Sequence, residues 1–117
     1  MIELVERIFK VIDNKDATGF AAFFSDDAVF KFGNAPAISG KANIHNAVAD
    51  FFSKLKGLKH RIQDVWLEDD VIICEGEVTY MRKDDDKLTL PFADILRMRD
   101  GLIVDYRIYM DVSPLFA

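Results

Sequence analysis

The sequence predicts an α+β domain in which helices come first and a mostly antiparallel sheet follows. Three observations predict it. Up to about residue 55 the apolar side chains recur at helical spacing, and from about residue 60 they alternate with polar ones at the strand period of two. The alternating stretches are joined by the short turn-rich connections Asp69-Asp70, Asp84-Asp85-Asp86 and Asp100-Gly101, so that neighbours are expected to pair as consecutive hairpins. A length of 117 residues with 50% hydrophobic content suits one domain, residues 1–117, able to bury roughly two-thirds of its unfolded surface.

The first helix is expected over residues 2 to 12, where Ile2, Val5, Ile8, Phe9 and Ile12 share a face, and Asp13-Asn14-Lys15 ends the run. Asp16 reads as the N-cap of a short second helix burying Phe20, Phe23 and Phe24. Asp26-Asp27 turns the chain into a short strand from Ala28 to Phe32, which Gly33-Asn34-Ala35-Pro36 breaks. A third helix, from about Lys41 to Leu55, places Ile44, Ala47, Val48, Phe51, Phe52 and Leu55 on one side, with Gly57 as a stop signal. Four strands follow, at about His60 to Glu68, Val71 to Lys83, Lys87 to Arg99 and Leu102 to Asp111.

Composition narrows the function classes. No apolar stretch approaches the ~20 residues needed to span a bilayer, and Met1-Ile2-Glu3 leads straight into an acidic amphipathic segment without a signal-peptide layout. The chain therefore reads as soluble and cytoplasmic, with no membrane partner. A net charge of -5 and a pI near 4.9 argue against nucleic acid, because binding a phosphate backbone depends on clustered Lys and Arg. The single cysteine, Cys74, rules out an internal disulfide and reads as a small buried hydrophobe. No metal site is expected, since His45 and His60 lie on different elements and no Cys/His cluster exists. The run Asp84-Asp85-Asp86 lacks the further spaced oxygens of a calcium loop and reads as a solvated hairpin tip.

One position stands out. Along Leu90-Pro91-Phe92-Ala93-Asp94-Ile95-Leu96-Arg97-Met98, one face carries Leu90, Phe92, Asp94, Leu96 and Met98, so Asp94 points inward. A buried, ionised carboxylate without partners costs several kcal/mol; Asp94 is therefore expected to be hydrogen-bonded, to hold its proton, or to face a wet cavity. The last hairpin bears on its partner. A two-residue Asp100-Gly101 turn sets Arg107 opposite Asp94, whereas a three-residue loop with Gly101 left-handed brings Leu102, Val104, Tyr106, Ile108 and Met110 onto the Asp94 face. The second register keeps three charges out of the core and is the one expected, with Tyr106 as cross-strand neighbour of Asp94 and Arg107 outside.

Tyr80 and Val78 share the inward parity of Ile72, Cys74 and Gly76, so the Tyr80 hydroxyl reads either as a second pocket group or as that of a core tyrosine with a rim partner. Gly76 either opens room for a ligand beside Asp94 or marks a bend, the commoner reason for a strand glycine. His60 shares a strand parity with Trp66 and reads as a proton-exchange partner of Asp94 or as an edge cap. Trp66 reads as a packing anchor. Phe30, Phe32, Phe51, Phe52 and Phe92 are candidates to line an aromatic pocket, with Tyr106 and Ile108 beside them, although ten phenylalanines would also supply an ordinary core. The outer row Ile103, Asp105, Arg107, Tyr109 and Asp111, joined by Ile95, Arg97 and Arg99, mixes apolar, aromatic and arginine side chains and predicts a homodimer through that sheet face. The arginines would then meet acidic groups of the other copy, making the association salt-sensitive.

The order of elements, with the phrases Phe24-Ser25-Asp26-Asp27-Ala28-Val29-Phe30, Ile38-Ser39-Gly40-Lys41 and Asp100-Gly101-Leu102-Ile103, resembles the nuclear transport factor 2-like superfamily, and within it the SnoaL-like and ketosteroid-isomerase-like group. The resemblance spans essentially the whole chain. It implies three helices packed on a strongly curved, mostly antiparallel sheet that forms a cone-shaped pocket, and relatives that dimerise through the sheet. It places Asp94 where steroid isomerases carry a protonated aspartate and where SnoaL-like cyclases carry an acid/base aspartate. The isomerase base then falls near Phe32 and its tyrosine near Ile8, so that triad is incomplete. The histidine assisting the cyclase aspartate falls near Tyr80, and the arginine of the limonene-epoxide-hydrolase set has no inward counterpart in Arg97 or Arg107. The function implied is binding of a small, largely hydrophobic, carbonyl-bearing molecule without a cofactor. Asp94 would move a proton, and Tyr80 or Tyr106 would polarise the carbonyl. The other reading is a non-catalytic dimeric ligand-binding module.

Overall fold

A computed structural model describes residues 2–116. Helix α1 spans Ile2–Asp13 and buries Val5, Ile8, Phe9 and Ile12, whereas Ile2, expected on the same face, remains 47% exposed at the helix start. Asp16 caps α2 (Ala17–Ala21) by accepting the Gly19 N–H at 2.8 Å. Strand β1 runs Phe24–Phe32, four residues earlier than expected, because Ser25, Asp26 and Asp27 remain extended rather than turning. A two-residue strand β2 (Ile38–Ser39) pairs with it, and α3 covers Lys41–Ser53. Lys54 caps α3, and β3 (Leu55–Glu68) begins at once, so Gly57 is a strand residue and not the helix stop. Strands β4 (Val71–Arg82), β5 (Lys87–Arg99) and β6 (Leu102–Tyr109) complete the sheet, and a 3-10 turn covers Ser113–Phe116.

The strand order is β2-β1-β6-β5-β4-β3. Strands β3 to β6 form consecutive antiparallel hairpins, and β1 joins the far side of β6 in parallel. The sheet is open, with β2 and β3 at its edges. Residues of all three helices share one apolar core with the inner sheet face. Among the described residues no helix is long and apolar enough to cross a membrane.

Two bulges decide which side chains face inward. At the last hairpin Arg99 pairs with Leu102, and Asp100 (φ 54°) and Gly101 (φ 79°) are both left-handed. This is the two-residue turn, not the expected three-residue loop. Met98 then pairs with Ile103 but Arg97 with Asp105, so Val104 is an extra residue and the parity flips there. The flip restores the inward row of Tyr106 and Ile108 that the longer loop was expected to produce. It also turns Ile103, expected outside, fully into the core. On β3, Ile62 pairs with Gly76 and Asp64 with Glu75, making Gln63 extra. His60 and Trp66, which the sequence places on one row, are thereby separated: His60 faces the interior, and Trp66 stands 50% exposed outside, opposite Ile73. Arg107 lies on the outer face as expected, yet it donates to Asp105 of its own strand at 2.9 Å.

Candidate functional site

Between the helices and the concave sheet face lies a cavity of about 420 Å³. Its wall is built from the apolar faces of every layer: Phe9 and Ile12 of α1, Phe20 of α2, Val48 and Phe52 of α3, and Leu58 of β3. Phe30, Phe32, Phe52, Val78, Phe92, Tyr106 and Ile108 line it, and so do Asp94, Tyr80 and His60. Gly76 does not. A Cβ there would stand 2.0 Å from the carbonyl oxygen of Arg61, so the glycine admits the bulged β3 backbone against β4 instead of making room for a ligand. Asn34, which the sequence marked only as part of a breaker, contributes a polar group to the lining, with Val112 and the exposed Phe116 beside it.

Asp94 is 2% exposed, the one buried charged side chain among the described residues. The Tyr106 hydroxyl donates to its Oδ2 at 2.8 Å, and its Oδ1 has no hydrogen-bond partner. Tyr106 is not directly opposite, as expected, but diagonal: Ile108 faces Asp94 and Tyr106 faces Leu96. A tyrosine bridges that diagonal easily. Its ring is set among Phe20, Phe24 and Phe30 at centroid distances of 5.7, 5.9 and 5.7 Å, so the donor is held in place. Burial pushes the Asp94 carboxyl up to about 8 against the lowering effect of the Tyr106 hydrogen bond. Near neutral pH the group mostly keeps its proton, and Oδ1, buried like the rest of the side chain, is the oxygen left without a partner. The Tyr106 hydroxyl is raised well above the ordinary phenol range by burial and by Asp94. Cys74, directly across from Asp94, is fully buried, and burial with the neighbouring carboxylate pushes its thiol up as well.

Tyr80 is buried, with its ring edge-on to Phe51 at 5.9 Å. Its hydroxyl meets only Met110 Sδ at 3.8 Å, a weak acceptor, and is raised by burial and by the charge of Asp94. His60 stands opposite Val78, its ring packed against Phe9 at 4.9 Å and Phe92 at 5.3 Å. Its Nδ1 lies 2.7 Å from Asp13 Oδ1, and its backbone N–H donates to the same carboxylate at 3.0 Å. Sequence reasoning took Asp13 only as a helix terminator. Among the described residues no group of three or more His, Cys, Asp or Glu side chains is placed to hold a metal ion.

Residues 5–106 match the model of a family described as the SnoaL-like domain. The structure is similar to that of TerC co-crystallised with polyporic acid, with 18% identity, 98% of this chain and 94% of that chain covered, and a TM-score of 0.84. It is similar to a putative SnoaL-like polyketide cyclase from Jannaschia sp. CCS1, with 15% identity, 98% and 88% covered, and a TM-score of 0.84. A hypothetical protein with a ketosteroid isomerase-like fold from Catenulispora acidiphila, in complex with trimethylamine, shows 17% identity, 95% and 87% covered, and a TM-score of 0.87. At these identities the likeness is one of fold. No curated protein sequence matches the chain.

Proposed function

The chain belongs to the SnoaL-like domain family, and from that premise we propose that it binds a small, largely hydrophobic, carbonyl-bearing molecule in the cavity and that Asp94 moves a proton on it. The observation that carries this reading is the Asp94 carboxyl itself, tied by Tyr106 through Oδ2 and free at Oδ1 in an apolar chamber. In its neutral form Oδ1–H donates to a carbonyl oxygen as that oxygen gains charge, which an apolar wall makes more effective than water would. In its charged form it removes an acidic proton next to the carbonyl. A carboxyl pushed up to about 8 reaches both forms near physiological pH. Tyr80, whose hydroxyl has only a sulfur partner, is the group that turns to the ligand as a second donor. A neighbour of the same fold co-crystallised with polyporic acid supports a small-molecule occupant.

The test begins with mass spectrometry of whatever copurifies with the protein, followed by turnover of that compound. Asp94→Asn is expected to lower turnover by about 100-fold or more while leaving binding nearly intact; unchanged turnover removes the mechanism. A second reading, storage without chemistry, is favoured by Ile8 and Phe32. By the resemblance they fall near the positions of the isomerase tyrosine and base, and Ile8 is fully buried while Phe32 lines the cavity. Thermal-shift screening with aromatic and terpenoid compounds decides between the two, since every binder recovered chemically unchanged supports storage.

We also propose that two copies associate through the outer sheet face. The row Trp66, Ile73, Ile95, Arg107 crosses four strands there, and Trp66 and Tyr109 are 50% and 54% exposed. Because Arg107 is paired with Asp105 and Arg99 lies 3.6 Å from Asp27 within the chain, the association is expected to depend on apolar area and to vary little with salt. Light scattering at micromolar concentration should give a dimer mass, and Tyr109→Glu should give the monomer. A monomeric wild type refutes the idea.

A further inference from the structure

His60 lines the cavity and belongs to a second ionisable assembly besides Asp94 and Tyr106, with Asp13 behind it on α1. Asp13 is the last residue of α1, where the exposed carbonyl ends of the helix disfavour a carboxylate. What holds it there is β3: both Asp13 oxygens accept the His60 N–H, at 3.2 and 3.0 Å, and Oδ1 also meets His60 Nδ1 at 2.7 Å. The backbone contacts alone would fasten the helix to the strand. The ring contact adds something different, because an acceptor at Nδ1 keeps the proton of a neutral imidazole on that nitrogen and leaves the lone pair on Nε2. His60 Nε2 makes no hydrogen bond to the described residues, and the ring lines the cavity. Phe9 and Phe92 fix the plane of the ring. Asp13 is the ion-pair partner of the ring, and the other ionisable groups lining the cavity with it are Asp94, Tyr80 and Tyr106.

We propose that His60 and Asp13 form a second proton-handling pair in the cavity, with Nε2 of His60 as the accepting atom and Asp13 as the positioning residue that balances the imidazolium. The pair addresses a different part of the ligand from Asp94. Along β5 the inner face runs from Leu90, the row of His60, through Phe92 to Asp94, so the ring of Phe92 stands between the two sites. The ligand that uses both is two-ended, with a carbonyl at the Asp94 end and an acidic O–H or C–H roughly a ring away at the His60 end, joined by a conjugated framework. His60 takes that proton onto Nε2. The electron pair left behind delocalises through the framework to the carbonyl oxygen, which accepts the hydrogen bond from neutral Asp94. The ligand class rests on the Asp94 reading; the basicity of His60 in the cavity does not.

A probe that needs only a base in an apolar site separates the two. With 5-nitrobenzisoxazole a base removes the ring C–H proton as the N–O bond breaks, leaving a nitrile and a coloured phenolate. Near neutral pH, where Asp94 mostly holds its proton, the wild type is expected to turn this probe over. His60→Asn, whose amide keeps a donor to Asp13 but lacks Nε2, is expected to lose about 100-fold. Asp13→Asn is expected to slow the reaction and displace its pH profile, which a purely structural contact would not do. In an Asp94→Asn background, His60→Asn is expected to lower whatever rate remains by a further factor of about 100. No turnover by the wild type, equal turnover by His60→Asn, or turnover abolished by Asp94→Asn alone overturns the proposal, and the last outcome leaves the Asp94 reading intact. Should either variant fail to fold, nitrogen NMR of the wild-type imidazole decides: a neutral ring protonated at Nδ1 supports the pair, and one protonated at Nε2 overturns it.

Discussion

Asp94→Asn is expected to hold the stability of the protein level across the range from about pH 4 to about pH 8, where the wild type weakens steadily. The folded carboxyl is pushed up to about 8 from its ordinary 3.8, so over that interval the native state binds a proton that the unfolded chain does not. Stability from this group is therefore complete below the ordinary value and lost as pH rises through the folded one, opposite to the behaviour of a salt-bridged aspartate. At about 1.4 kcal/mol per pH unit the loss has a ceiling on the order of 6 kcal/mol, and relaxation around the charge lowers it. For a domain of this size a fall of about 10 °C in Tm is expected between the ends of the range. The amide carries no proton to lose, and it still offers an oxygen to Tyr106. Thermal melts of both proteins at several pH values check this. A wild-type Tm as level as that of the variant would mean that Asp94 ionises in contact with water.

The other large effect is expected from a single methyl group. In Gly76→Ala the new Cβ would lie 2.0 Å from Arg61 O and 3.0 Å from Arg61 C and Ile62 Cα, all backbone atoms of a strand that is itself pinned by the Gln63 bulge. No side chain can swing aside to relieve the overlap. A loss of about 3 kcal/mol or more is expected, seen as a Tm lower by about 10 °C or as failure to accumulate folded protein. Gly57→Ala, on the same sheet with nothing within 4 Å of its Cβ, serves as the control and is expected to be neutral or slightly stabilising. Equal melting of the two variants would show that the bulge slides along β3 at little cost.

Much of this site is legible in the sequence, because burial imposes a period that a reader can count. Asp94 in the row Leu90, Phe92, Leu96 and Met98 points inward on alternation alone, and Tyr80 and Val78 follow from the same rule on β4. Alternation fails at bulges, since an extra residue leaves no mark on composition. Val104 is why Ile103 reads as outer and lies in the core, and Gln63 is why the directions of His60 and Trp66 are not shared. The Asp94–Tyr106 contact follows from the inward parity of both residues, although the turn that produces it is a different one from that expected. The Asp13–His60 pair has no local signature. It joins a helix end to a strand 47 residues away, and only the docking of α1 on β3 brings the two together.

The parallel pairing of β1 with β6 also sets an order of events in time. Strands β3 to β6 are each joined to the next by a short turn, so they can zip up from local contacts, whereas Phe30 must find Tyr106 across 76 residues of chain. Closing so long a loop is entropically costly until both ends are already shaped. The wall of the cavity that carries Phe20, Phe30 and Phe32 is therefore completed last, and early folding species lack a chamber in which anything can bind. A ligand should accordingly leave the folding rate almost unchanged and act on the unfolding limb, lengthening the lifetime of the native molecule in proportion to its occupancy.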